Sequence, residues 1–239
     1  INTSQNTQIG RILKMTSNPL IAIPSIRDIP QVKKRWHEIQ YDKYIVKYKS
    51  HKDAYLDIQN YFDTHKEYDT LIISSDDLEI TPEAVDILLS DLNQHSLDTV
   101  SGYCNIDETQ PDTYAVQPLG SQDFIKDHPD CTFGAWYHKD KKPILPTKDK
   151  LLQVGFEGFC CQVITRELFD RIDLAGPPNV RGNFDWNFCR QCHDLGVPVM
   201  VDTTVKMYHR RFQQSDRVKE FNADLSIRKY GYSYLLKNN

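Results

Sequence analysis

One segment constrains this chain more than any other. In "YDTLIISSDDLEITPEAVDILLSDL", Tyr68 to Leu92, the apolar run Leu71-Ile72-Ile73 climbs straight into Ser74-Ser75-Asp76-Asp77, and a helix signal follows at Thr81-Pro82-Glu83. A short apolar run bounded by polar residues reads as a fully buried strand. Thr81 then serves as N-cap, Pro82 takes the first helical position, and Val85, Leu88, Leu89 and Leu92 fall on one helical face. A strand buried on both sides belongs to a sheet covered by helices on both faces. The two carboxylates therefore stand in the loop that leaves the strand, at the edge of the core, where ionised oxygens can hold a hard cation. Helix or turn capping explains one such Asp well and a pair less well.

The rest of the chain repeats this alternation. "PLIAIPSI" (Pro19 to Ile26) reads as a first strand and "VKKRWHEIQ" (Val32 to Gln40) as the helix behind it. "KYIVKYK" (Lys43 to Lys49) reads as a second strand, followed by the helical "HKDAYLDIQNYFDTH". "LDTVSGYCNI" (Leu97 to Ile106) supplies a fourth strand. From about Asp107 to Leu151 the periodicity fades into a long, charged, Pro-punctuated loop, of the kind that often forms a binding loop or lid; Trp136-Tyr137 within it can stack on a ligand or anchor the loop. Regularity returns with "QVGFEGFCCQVITRELFDRI", a strand with Thr165 capping a short helix. A helix from about Trp186 to Asp194, closed by Gly196, comes next, then a strand "VPVMVD" and a last strand reaching His209. Strands alternating with helices imply an α/β fold with a mainly parallel central sheet and helices on both faces, and in such sheets ligands bind outside the carboxyl ends of the strands.

At 239 residues, with no Pro/Gly/Ser-rich linker, one large domain over residues 19–239 is expected after a polar, aperiodic arm, residues 1–18. A net charge of -4 argues against nucleic acid as the main partner. No apolar run approaches the ~20 residues that span a bilayer, and no signal-peptide pattern is seen, so a cytoplasmic protein, free or peripheral to a membrane, is expected. Six cysteines in a chain of this length read as reduced thiols, not a disulfide framework. A zinc site built on Cys160, Cys161, Cys189 and Cys192 is disfavoured, because Cys160 and Cys161 are adjacent and "CRQC" falls in a helical pattern. The tail, from "QQSDRVKEFNADL" onward, is an amphipathic helix candidate.

Four pieces, in order, resemble the GT-A-fold glycosyltransferases, in particular the inverting family 2. They are "IAIPSIRDIPQVKKRWHEI", "DTLIISSDDLEITPEAVDILL", "GFEGFCCQVITRELFDRI" and "FDWNFCRQCHDLGVPVMVDTTVKMYH". The resemblance implies a single Rossmann-like GT-A domain that transfers a sugar from a nucleotide-sugar donor, UDP- or GDP-linked, to a glycan, lipid or protein acceptor. On it, Ser75-Asp76-Asp77 match the DxD-type motif: Asp77 binds Mn2+ (or Mg2+), Asp76 lies beside it, and Ser75 replaces the usual first Asp. Pro24 and Ser25 end the strand that meets the donor. His209 matches a late metal-binding His, Asp185 matches the general base although Phe184 replaces the usual Glu, and Gly155, Glu157 and Gly158 shape the acceptor floor. The base-reading Asp expected after the second strand is absent from "KYKSHKD".

The residue types suit that chemistry. A carboxylate pair with an imidazole can hold Mn2+, which tolerates nitrogen better than Mg2+ does. Arg210 and Arg211 can add phosphate contacts or form a solvated basic turn. Asp185 can take the acceptor proton or cap its helix, and Trp186 can stack on the acceptor or pack in the core. One carboxylate and direct attack predict inversion. Two rivals remain: a nucleotidyltransferase acting on sugar phosphates, for which "IPSIRDIPQ" lacks the expected glycines, and a non-catalytic GT-A-like module that holds a sugar or a partner.

Overall fold

The computed structural model describes residues 17–25, 27, 29–47, 49–104, 116–117, 150–176 and 184–210. The arm over 1–16, most of the loop between Asp107 and Leu151 with Trp136-Tyr137, Arg211 and the tail helix lie outside the described residues.

β1 (Pro19–Ser25) is buried at every position, and α1 (Pro30–Glu38) starts two residues before the expected boundary. Pro30 explains the shift: it occupies the first turn, where its missing N–H costs no helical bond. β2 (Asp42–Lys47) leads to α2 (His51–Thr64), whose first turn is closed by Ser50 accepting from the Asp53 N–H. β3 (Thr70–Ile73) is wholly buried and is followed by a two-residue strand, β4 (Leu78–Glu79), too short to show a period in the sequence. α3 (Pro82–Gln94) opens as expected, with the Thr81 hydroxyl accepting from the Ala84 N–H. β5 (Thr99–Cys104) and β6 (Val116–Gln117) follow.

The single strand expected from Gln153 is three: β7 (Leu151–Val154), β8 (Phe156–Glu157) and β9 (Gln162–Thr165). The break between β8 and β9 has a backbone cause. Phe159 (φ 49) and Cys161 (φ 60) both hold left-handed conformations without being glycine. Each costs of order 1–3 kcal/mol, and the burial of both side chains helps to fix them there. Thr165 caps α4 (Arg166–Phe169) as expected. α5 (Phe184–Asp194) begins before Trp186, so Asp185 sits in the first turn and is not the N-cap. The two strands expected after it are one, β10 (Val199–His209), with a register shift between Val201 and Lys206.

The main sheet runs β2-β1-β3-β9-β5-β10-β4, with β7 also paired to β10, and β6 pairs β8 separately. β2, β1, β3, β5 and β10 point one way; β9, β7 and β4 oppose them. The sheet is thus mostly parallel, as expected. Alternate residues feed two cores: Leu20, Ala22, Leu71 and Ile73 pack with α2, α4 and α5, while Ile21, Ile23 and Ile72 pack with α1 and α3. Each such Leu or Ile contributes about 1.5–3 kcal/mol by leaving water. Cys189 and Cys192 belong to the first core and Cys160 and Cys161 to the second, so these thiols do not form one zinc site. No helix among the described residues is long and apolar enough to cross a membrane.

Two features of this topology prepare a site. β1 has β2 on one side and β3 on the other, so strand order reverses there and the loops after β1 and β3 flank a crevice. β10 reaches the same end because β5 lets it pass closely at Gly102, where a Cβ would stand 2.7 Å from the Val205 carbonyl oxygen. Its last residues then pair with β4, His209 opposite Leu78, immediately after Asp77.

Candidate functional site

The first half of the site is the carboxylate doublet. β3 continues one residue past its end through the Ser74 N–H to the Ala22 carbonyl, and a turn closed by the Leu78 N–H on the Ser75 carbonyl holds Asp76 and Asp77 in the crevice. Both are nearly inaccessible, at 2% and 6% exposure. Arg27, from the loop after β1, covers them: its main-chain N–H and Nε donate to Asp76 Oδ2 and Oδ1, each at 2.7 Å, and Nη1 donates to Asp77 Oδ2 at 2.7 Å. The same Asp77 Oδ2 lies 3.0 Å from His209 Nε2, and Ser75 Oγ donates to Asp77 Oδ1. His209 Nδ1 is buried without a hydrogen-bond partner among the described residues. Burial alone would raise the Asp77 carboxyl; Arg27, His209 and Ser75 outweigh it and hold that carboxyl well below the usual range.

The second half is a pair of acids that burial shifts the other way. Glu157, on β8, has no accessible surface and accepts from the Cys160 N–H at 3.2 Å. Burial pushes its carboxyl up to about 8, against the pull of hydrogen bonds from Ser101 and the Cys160 and Phe159 N–H groups; the charge of Asp185 adds to the rise. Asp185 accepts from the Trp186 N–H at 2.8 Å. Its residue keeps partial contact with solvent, yet its carboxyl is packed deeply enough for desolvation to push it up to about 6, with main-chain N–H groups of the helix start opposing.

Tyr55 on α2 links the halves. Its ring stacks on Phe184 at 4.4 Å, and its hydroxyl is raised first by burial and then by the charges of Asp185, Glu157 and Asp76, all within electrostatic reach. Tyr55 therefore lies within electrostatic reach of Asp76 from the doublet and of both members of the acid pair.

The other expected site residues are spread around this centre. Pro24 and Ser25 end β1 at the crevice, Ser25 Oγ donating to the Arg27 carbonyl at 3.2 Å. Gly158 follows Glu157 and is partly exposed. Trp186 is corrected to a packing residue: it is 4% exposed and stacks face to face on Phe156 at 3.8 Å, so that ring face is not offered to an acceptor. Arg210 is turned aside as well. Its Nε pairs with Glu79 and its guanidinium covers the Tyr208 ring, while its main-chain N–H donates to the Asp77 carbonyl at 2.7 Å. Its link to the doublet is through the backbone.

Sequence reasoning missed Arg27 and Tyr55. A lone basic residue in a short loop gives no periodic signal, although its place after the first buried strand marks it. Tyr55 was hidden in a helix whose apolar spacing is only roughly regular.

No family model matches the chain, and no curated protein matches it. The structure is similar to that of A197 from STIV, with 20% sequence identity and a TM-score of 0.52 over 82% of this chain and 86% of that one. It is also similar to glucosyl-3-phosphoglycerate synthase from Mycobacterium tuberculosis. The complex of that enzyme with phosphoglyceric acid gives 11% identity and a TM-score of 0.51, covering 90% of this chain and 80% of the synthase. Its complex with Mn2+, uridine diphosphate and glucosyl-3-phosphoglycerate gives 10% and 0.50, covering 93% and 81%. At these identities the likeness concerns architecture: the chain has a GT-A-like α/β fold.

Proposed function

We propose that the protein is a metal-dependent inverting glycosyltransferase that moves a sugar from a UDP- or GDP-sugar to a hydroxyl of a glycan, lipid or protein acceptor, with residues 19–239 as its catalytic unit. The observation that carries this reading is the meeting of Asp77 Oδ2 and His209 Nε2 at 3.0 Å, from positions 132 residues apart, at the switch point of the sheet. The synthase of like fold, solved with Mn2+ and uridine diphosphate, supports it.

A carboxylate oxygen beside an imidazole nitrogen is a mixed donor set that suits Mn2+ better than Mg2+. It is a partial site, since among the described residues no three His, Cys, Asp or Glu side chains cluster to hold an ion. Ions that work on phosphates are often held this way, by one or two protein ligands with the phosphate oxygens completing the shell. Asp77 and His209 would hold such an ion, which would supply positive charge against the leaving diphosphate. Asp185, half ionised near pH 6, accepts the proton of the attacking hydroxyl. Glu157, still protonated at neutral pH and without accessible surface, supports the acceptor floor from inside the core. A single base and direct attack from the face opposite the diphosphate give inversion.

A specific observation favours a second reading, a binding module without turnover: Ser75 stands where a first carboxylate would, and Arg27 already neutralises the doublet. A thermal-shift screen of UDP and GDP with and without Mn2+, followed by assay of donor hydrolysis, separates the two. The enzyme reading expects a rise in Tm only with nucleotide and Mn2+ together, and hydrolysis that is absent in Asp77→Ala. The module reading expects the Tm rise without hydrolysis.

A further inference from the structure

The cation on the doublet in this structure belongs to the chain itself. Arg27 makes three charge-assisted contacts of 2.7 Å, two to Asp76 and one to Asp77, and its own side chain is only 23% exposed. Two buried carboxylates side by side need such a counter-charge, because taking an unpaired charge out of water costs several kcal/mol. The contact to Asp77 falls on Oδ2, the oxygen that also faces His209 Nε2. A divalent ion held by Asp77 and His209 would draw on that same oxygen and would stand against a guanidinium of like sign. With His209 neutral, Asp76, Asp77 and Arg27 sum to one negative charge; adding the ion alone leaves one positive charge in a poorly solvated crevice. A diphosphate reverses that excess, and it is the group a planar guanidinium fork grips best.

We propose that Arg27 occupies the cation position until a nucleoside diphosphate enters with the divalent ion, and that its guanidinium then leaves Asp77 to bind the diphosphate. This rests on the metal-dependent reading above. Two properties follow. The ion binds weakly alone and tightly with the diphosphate, and Arg27 is responsible for both halves of that coupling.

The test is calorimetric titration of Mn2+ alone, and of UDP and GDP at saturating Mn2+, on wild type, Arg27→Gln and Arg27→Lys, with free Mn2+ followed in parallel by its paramagnetic resonance signal. Arg27→Gln is expected to bind Mn2+ alone about tenfold more tightly and the diphosphate about tenfold more weakly, within the usual span of coupling between sites. Arg27→Lys, which keeps the charge and loses the fork, is expected to leave Mn2+ binding within about twofold and still weaken the diphosphate. Unchanged or weaker Mn2+ binding by a folded Arg27→Gln would overturn the exchange while leaving the metal site standing. Should Arg27→Gln fail to fold, undiminished diphosphate binding by Arg27→Lys would overturn it. If no protein binds Mn2+ with or without diphosphate, the metal reading falls and the exchange falls with it.

Discussion

Two pairs of carboxyl groups have members within electrostatic reach of Tyr55, and the protein treats them differently. Asp76 and Asp77 end a buried strand, yet they meet a guanidinium, and Asp77 also meets an imidazole and a hydroxyl, so Asp77 is held as a carboxylate far below neutral pH. Glu157 and Asp185 meet main-chain N–H groups, and Glu157 also Ser101, with no cation paired to either among the described residues, so burial raises both. The contrast teaches that burial does not decide the charge of an acid; the nearest partner does. On the proposed function, holding Asp77 charged while burial raises Glu157 and Asp185 would separate an electrostatic task from a proton-transfer task.

The comparison breaks most sharply at Asp77. Asp77→Asn is expected to lower transfer by about 10³-fold or more and to abolish the Mn2+-dependent Tm rise with nucleotide, because it removes the charge that faces both Arg27 and His209. Asp185→Asn is expected to lower kcat by about 10²–10³-fold with Mn2+ and nucleotide binding unchanged, since its proposed work is proton transfer. In wild type, kcat/KM should rise with pH through about 6 as Asp185 ionises, and that limb should vanish in the variant. If Asp185→Asn loses nucleotide binding instead, the two pairs do not divide the labour.

Glu157 sharpens the comparison through stability. Its folded-state carboxyl, at about 8, lies above its unfolded value, so the folded chain holds a proton that the unfolded chain releases. Its stabilising contribution is complete below the unfolded value near 4.5 and is lost as pH rises through about 8. Glu157→Gln, which cannot ionise, should therefore be more stable than wild type at pH 8 by an amount on the order of a few kcal/mol, with the difference shrinking toward pH 5 in urea unfolding. The smallest effect is expected at Tyr55. Tyr55→Phe removes a hydroxyl and leaves the stack on Phe184, so stability should change by about 1 kcal/mol or less, with kcat reduced by less than about tenfold. A larger fall would mean that the hydroxyl touches the reacting groups.

Much of the frame could be read from the chain. The alternation from β1 to β5, the Thr81 and Thr165 caps and the doublet at the end of β3 all follow from local chemistry that tertiary structure leaves in place. The break between β8 and β9 could not be read, because its turn holds left-handed Phe159 and Cys161, residues that do not announce a break. The pairing of Arg210 with Glu79 was not legible for a related reason. Glu79 sits on a strand of two residues, with no period to place it on the same edge. The approach of His209 to Asp77 came from family resemblance; the physical cause, β10 passing closely over Gly102 to pair with β4, needs the folded chain.

The most direct measurement is diffraction at the manganese edge from crystals soaked with Mn2+ and UDP or GDP. The expected result is one anomalous peak in direct coordination with Asp77 Oδ2 and His209 Nε2, beside the diphosphate and with Arg27 moved off Asp77. A peak elsewhere, or a bound nucleotide with Asp77 and His209 still joined to each other and to Arg27, would contradict it.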